Sequence, residues 1–440
     1  MPRPVHSSIL FSTKIKFYII TIILLPILLV GFQNCGSKFE IDASILSQSS
    51  EIDSSDDTSR LNPNDRTPSI QPKVPVFENH FKTVDKLGTD IYAPKSDQGQ
   101  RVEMVLHPSG GGTNITFGDW YQATGDITLG YKDEMPFEFH VQNSGNYGGI
   151  PFIGIRPRDY INKENGNMLE TWWFGYMHKT FPLTSSSKVY AFDYTEKRLD
   201  QLYQWFFKNY PQANPKKIIL RGQSMGCWGS MTYGLRRVNQ YAAIFCTLPR
   251  WRQTDMATLD GSTISNDMTL PNGENFINRM DMVSYINNPS NEIPFVAWSI
   301  GKNDGFATWE SQVDAVKALR ATKRGFVFSW NNGNHSEGVD AMTAVTATYT
   351  PEDFELGKGY PIFMNSSLDN DVNTDLIGGI NLGFKWRNMI ETDNGFEIEI
   401  SNTLGNVSVD VLPHSHTFLK KVVQKNIYIP SGQWVKVTFN

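Results

Sequence analysis

Cysteine is almost missing from this chain: there are three in 440 residues, Cys35, Cys227 and Cys246. That excludes a small disulfide-stapled scaffold and leaves no thiolate cluster for a structural metal. No His, Cys, Asp and Glu residues fall at metal-ligand spacing either, so no metal site is expected. Positive charge is not in surplus. The 40 Lys and Arg stand against 45 Asp and Glu, a net charge of −5, so no basic surface argues for nucleic acid. No G-x-G-x-x-G follows the first strand pattern, and no cofactor is expected. Long hydrophobic runs are lacking too. The apolar stretch 17–32 has 16 residues, short for a membrane span and the right size for the core of a signal peptide.

Arg3, Lys14 and Lys16 precede that run, and Gly31-Phe32-Gln33-Asn34-Cys35-Gly36-Ser37 follows it. A cysteine at the end of a signal core resembles the lipidation site of bacterial lipoproteins, here with Gln33 and Asn34 where the usual box has small residues. The resemblance implies that residues 1–34 are removed and that Cys35 carries acyl chains; soluble export and an uncleaved anchor are the alternatives. From residue 37 to about 75 the chain is rich in Ser, Asp, Asn and Pro and too poor in large apolar residues to fold, so it reads as a tether. An exported protein held at the cell envelope by a membrane-inserted lipid, or released, is the expectation.

What the rest of the chain has is glycine in telling places. Residues 216–234 read KKIILRGQSMGCWGSMTYG. An apolar β-type run (Ile218, Ile219, Leu220) leads into Gly222-Gln223-Ser224-Met225-Gly226, and a stretch rich in small residues follows. Strand, sharp turn and helix with a serine at the apex match the G-x-S-x-G nucleophile elbow. The two glycines let strand and helix pass close together, and the helix N-terminus faces whatever the serine attacks. An ordinary glycine-rich turn is the bland alternative.

Upstream, residues 101–107 (RVEMVLH) read as a strand running into His107-Pro108-Ser109-Gly110-Gly111-Gly112. This resembles the glycine loop that supplies half of an oxyanion hole, with Gly111 and Gly112 as candidate donors and the N–H of Met225 as the other half. After a buried-strand pattern at 149–157 comes an aromatic cluster containing Glu170, Trp172, Trp173 and Tyr176. It either lines a substrate cleft or plugs the space under a long loop. Eleven Trp and 17 Tyr suit a flat or sugar-like ligand, or core packing. Residues 194–210 carry Leu199, Leu202, Trp205 and Phe206 at helical spacing.

The strand pattern at 149–157, the helix at 194–210 and the elbow strand, in that order, predict a parallel sheet with right-handed crossovers. Downstream come strand patterns at 242–248, 293–300 and 325–330, with a helix at 309–320 between the last two. The second of these strands ends in Gly301-Lys302-Asn303-Asp304-Gly305. The third ends in Asn331-Asn332-Gly333-Asn334-His335. A serine, an aspartate and a histidine thus follow three strand ends in the order of an α/β-hydrolase triad. Only His335, His414 and His416 follow Ser224, and the last two lie in a separate C-terminal region. Ser224 is therefore the candidate nucleophile, His335 its base and Asp304 the group that orients the base. Cys227 and Cys246 fall near the same sheet edge, where they either pair as a disulfide or stay as two buried thiols.

With these motifs in view, residues 80–350 resemble the serine-hydrolase branch of the α/β-hydrolases. The nearest look is to secreted polyhydroxyalkanoate-depolymerase-like and feruloyl- or acetyl-xylan-esterase-like proteins. The resemblance rests on H-P-S-G-G-G, G-Q-S-M-G, G-K-N-D-G and N-H-S-E-G. It implies an α/β-hydrolase fold and cleavage of carboxylic esters, polymer- or carbohydrate-linked ones among them, through an acyl-enzyme. A serine peptidase of the same fold and a non-catalytic surface binding protein are the alternatives. From residue 349 to 440 short apolar runs alternate with turn signals, which predicts a small all-β domain behind a hydrolase domain at 76–348.

Overall fold

The computed structural model describes residues 100–109, 127–130, 139–147, 150–157, 159, 161–162, 168–179, 189–209, 211, 213–252, 258–259, 262–263 and 266–440. The stretch expected to be a signal peptide, Cys35, the stretch expected to be a tether, Gly111 and Gly112 lie outside the described residues.

Extended apolar runs build a main sheet of nine strands among the described residues. In chain order they are β1 Gln100–Leu106, β2 Ile127–Gly130, β3 Phe139–Tyr147, β4 Ile150–Pro157, β5 Ala213–Gln223, β6 Ala243–Thr247, β7 Phe295–Gly301, β8 Phe326–Asn331 and β9 Gly378–Ile380. Across the sheet the order is β2-β3-β4-β1-β5-β6-β7-β8-β9. Every pairing from β4 to β8 is parallel. The antiparallel pairings are confined to the two ends. All residues of β6 and β7 are buried, as expected for parallel strands covered on both faces. The chain leaves β1 on one side, towards β4, and returns on the other as β5. Open α/β sheets bind their ligands outside the carboxyl ends of the strands at such a reversal.

Alternation along each strand divides the core in two. Ile218 and Leu220 belong to one face, with Trp298, Phe328 and the helices. The helix Tyr194–Asn209 contributes Leu199, Leu202 and Phe206, all fully buried, and each such side chain stabilises by roughly 1.5–3 kcal/mol. The elbow helix Met225–Gly234 and the helix Trp309–Ala321 complete this layer. Ile219, Phe245, Phe295, Ala297 and Val327 belong to the other face.

On that second face the cover is the C-terminal region. Its strands form two antiparallel three-stranded sheets: Tyr360–Met364 with Val407–His414 and Gln424–Ile429, and Phe384–Thr392 with Gly395–Asn402 and Val435–Phe439. Phe363 stacks on Phe384 at 4.0 Å between them. Phe354 stacks on Phe295 of β7 at 4.3 Å, so the two cores are continuous. The chain beyond residue 349 also supplies β9, which pairs with β8.

Candidate active site

The elbow is built where two backbones nearly touch. A Cβ on Gly222 would lie 2.2 Å from the carbonyl oxygen of Gly226, and a Cβ on Gly226 would lie 2.0 Å from that of Leu106 in β1. Backbone cannot step aside, so only glycine fits at either position. Between them Ser224 is held at φ 52° and ψ −119°. Its N–H donates to the Thr247 carbonyl at the end of β6, 3.0 Å away. Met225 follows as the first residue of the elbow helix and is buried.

β7 and β8 run side by side with Gly301 opposite Asn331, so the two turns that follow them meet. Asn303 N–H donates to the Gly333 carbonyl at 3.0 Å. A Cβ on Gly301 would lie 2.2 Å from that same carbonyl oxygen. This close packing brings the expected residues together. Ser224 Oγ lies 2.8 Å from His335 Nε2. His335 Nδ1 lies 2.7 Å from Asp304 Oδ2. Asp304 Oδ1 accepts the N–H groups of Phe306 at 2.7 Å and Ala307 at 3.1 Å, which fixes the carboxylate's direction. With a carboxylate accepting at Nδ1, the ring proton sits there and Nε2 is left to accept from Ser224. The Asp304 side chain is 1% exposed and that of His335 24%, so the carboxylate is buried while the imidazole is partly open to solvent. The exposed ring of Phe306 lies 4.8 Å from that of His335.

Cys227 and Cys246 are joined as a disulfide. The bond ties the first turn of the elbow helix to β6, one residue before the carbonyl that takes the Ser224 N–H.

The aromatic cluster divides. Trp172 is half-buried, edge-on to Trp228 of the elbow helix at 5.6 Å, with the Arg250 guanidinium 5.9 Å from its ring. Glu170, also half-buried, accepts the Ser109 hydroxyl at 2.6 Å. Trp173 corrects the expectation of a pocket-lining residue: it has no exposed surface. It sits against the His107 ring at 4.8 Å and crowds Gly229 of the elbow helix, where a Cβ would lie 2.4 Å from its own. Its bulk is spent on core packing. Tyr176 opens the short strand Tyr176–Lys179, and its side chain lies outside the described residues.

One acid beside the site was missed. Asp159 lies two residues past β4 and is fully buried. Burial pushes its carboxyl up, while the hydrogen bond from the Thr171 hydroxyl and the charge of Arg198 work the other way. An aspartate just past a strand end was the same signal that marked Asp304.

Six parallel strands in a row, a reversal beside β1 and a strained serine turn leading into a helix define the architecture. The fold is that of an α/β-hydrolase. No family model matches the chain, and no curated protein matches it. Among solved structures it is similar to FphF, a fluorophosphonate-binding serine hydrolase of Staphylococcus aureus, at 12% identity and TM-score 0.38, covering 58% of this chain and 86% of that one. It is similar to an S-formylglutathione hydrolase from Agrobacterium tumefaciens at 15% identity and TM-score 0.34, covering 56% and 80%. A ferulic acid esterase matches at 13% identity and TM-score 0.33, covering 58% and 84%. These likenesses are distant, and the fold rests on the sheet order and the elbow.

Proposed function

We propose that this chain is an exported serine hydrolase that cleaves carboxylic esters through an acyl-enzyme, with Ser224 as nucleophile, His335 as base and acid, and Asp304 as its orienting partner. The observation that carries the reading is the continuous hydrogen-bond chain from Ser224 Oγ to His335 to Asp304.

In this reading His335 Nε2 takes the Ser224 proton as Oγ bonds to the ester carbonyl carbon. The carbonyl oxygen becomes an oxyanion, for which the Met225 N–H and the glycine loop at Gly111 and Gly112 are the proposed donors. The carbon–oxygen bond to the alcohol breaks as His335 returns the proton to that oxygen. Water then repeats the sequence on the acyl-enzyme, releasing the acid and restoring Ser224. Asp304 keeps the proton on Nδ1 throughout and stabilises the imidazolium.

Export is supported by the signal-like run and by the Cys227–Cys246 disulfide, a bond that persists in oxidising compartments. Anchoring through lipidated Cys35 belongs to the same proposal. An ester linked to a polymer or carbohydrate is the substrate class the resemblance favours.

A fluorophosphonate probe tests the core of it. Labelling of the native protein that Ser224→Ala abolishes, together with turnover of short-chain p-nitrophenyl esters, is the expected result. No labelling and no turnover would instead indicate a binding protein on a hydrolase fold. Release from membranes by Cys35→Ser checks the anchor.

A further inference from the structure

We propose that Asp159 is a positioning residue for the nucleophile elbow, gripping it through His107 and Trp173 from the side away from the triad. The proposal rests on Ser224 being the nucleophile.

Asp159 makes four directed contacts with no surface exposed to water. Its Oδ2 accepts the N–H groups of Thr171 at 3.0 Å and Trp173 at 2.9 Å. Its Oδ1 accepts the Thr171 hydroxyl. Its own N–H donates to His107 Nε2 at 2.8 Å. With Nε2 accepting, the imidazole proton sits on Nδ1 and donates to the Pro108 carbonyl at 2.9 Å. One buried carboxylate and its amide therefore fix both the turn at 171–173 and the residue that closes β1.

Both fixed pieces press on the elbow. Trp173 Nε1 donates to the His107 carbonyl at 3.1 Å, tying them to each other. That same carbonyl oxygen would lie 2.7 Å from a Cβ on Gly226, two residues past Ser224. Trp173 itself crowds Gly229, and Trp172 meets Trp228. Contacts thus fall on three of the five residues after the nucleophile.

The turn would not hold this shape unaided. Trp172 and Trp173 sit at φ 56° and 61°. Two successive bulky residues in the left-handed region cost about 1–2 kcal/mol each and persist only where their surroundings over-determine them. The Asp159 carboxylate, bonded to the N–H groups on both sides of Trp172, is that determinant.

The test separates positioning from bulk stability. In Asp159→Ala the two buried N–H groups lose their acceptor and the turn relaxes. An ångström of misplacement at the nucleophile costs on the order of 100-fold, so kcat for p-nitrophenyl acetate is expected to fall ~100-fold while KM moves less than about threefold. Asp159→Asn keeps one oxygen for both N–H groups, and its amide can donate to the Thr171 hydroxyl. It is expected to restore kcat to within about fivefold of wild type. Trp173→Phe removes the Nε1 donor to the His107 carbonyl and leaves a smaller ring in the same buried site; a kcat loss of at least ~10-fold at unchanged KM is expected, the lost hydrogen bond by itself accounting for about that much. That variant decides the matter should Asp159→Ala not fold. Unchanged kcat in Trp173→Phe, or in a folded Asp159→Ala, overturns the proposal. So does an equal loss in Asp159→Asn and Asp159→Ala. Fluorophosphonate labelling of the wild type at Ser224 stands or fails independently of all three variants, so a failure here leaves the hydrolase reading intact.

Discussion

Ser224 occupies a backbone conformation that serine avoids. At φ 52° and ψ −119° it stores about 1–3 kcal/mol of strain, which its neighbours must hold in place. The Thr247 carbonyl takes its N–H, and the glycines on either side let the helix turn back over the strand. Gly226→Ala is therefore expected to destabilise by at least ~3 kcal/mol, beyond an ordinary overpacked site, because its Cβ would meet immobile β1 backbone. Urea denaturation of the variant measures this. His335 and Asp304 make a sharper pair of predictions. Asp304→Asn keeps the geometry but offers an amide where a carboxylate fixed the Nδ1 proton, so kcat is expected to fall ~10⁴-fold with stability little changed. His335→Ala removes the proposed base and is expected to cost at least as much. A full-rate His335→Ala enzyme would sink the assignment.

Between residues and fold stand the turns after β7 and β8. Lys302, two residues before Asp304, donates its ammonium to the carbonyls of Asp375 at 2.8 Å, Asn373 at 3.3 Å and Val372 at 3.4 Å. Trp309 Nε1 and Trp330 Nε1 hold the carbonyls of Val372 and Asp375 at 2.9 and 3.0 Å. The loop at 369–375 thus braces the turn that carries Asp304. Lys302→Met strips a cation from three carbonyls, and a kcat loss on the order of tenfold is expected, with KM unchanged and Tm lower by a few degrees. Equal kcat in the variant would show that the acid turn stands without this brace. Nothing before residue 349 announced the arrangement. The elements themselves were legible where one period dominates: the helix expected at 194–210 forms at Tyr194–Asn209, and that expected at 309–320 at Trp309–Ala321. The Ser, Asp and His were legible because each follows a strand end in chain order. Asp159 carries the same strand-end signal and Trp173 stands in the aromatic cluster, but their roles were not legible, since these depend on which strands lie side by side. Local pattern carries no information about a contact spanning 52 residues, such as Asp159 with His107.

The whole molecule uses its C-terminal region as a layer. Ile219, Phe245, Phe295 and Val327 of the main sheet share a core with Tyr349, Phe354, Tyr360 and Phe363. A chain ending at residue 348 would expose that apolar face and lose β9, so it is expected to aggregate rather than fold, as checked by solubility and near-ultraviolet circular dichroism. A soluble, active truncated enzyme would instead make the region a separable module. The same layer gives the protein a pH dependence. His414 stands between Tyr360 at 4.4 Å and His416 at 5.2 Å, ring to ring. Burial pushes its imidazole down to about 4, and the neighbouring His416 adds to the effect. Glu292 and Glu391 pull the other way, and Arg324 acts with the burial. The folded protein thus keeps His414 neutral at a pH where the unfolded chain has already protonated it. Between roughly pH 6.5 and 4 the unfolded state binds the extra proton, so stability falls as pH falls through that window. The loss attributable to His414 is on the order of 2–3 kcal/mol by pH 4.5. Buried carboxylates such as Asp353 and Asp369, whose pKa values are raised, oppose it, so the total curve mixes both signs. The difference between wild type and His414→Gln isolates the one group. Urea midpoints measured at several pH values between 7 and 4.5 are expected to show the wild type losing stability faster than the variant. Parallel curves would place His414 in a solvated site and remove the effect.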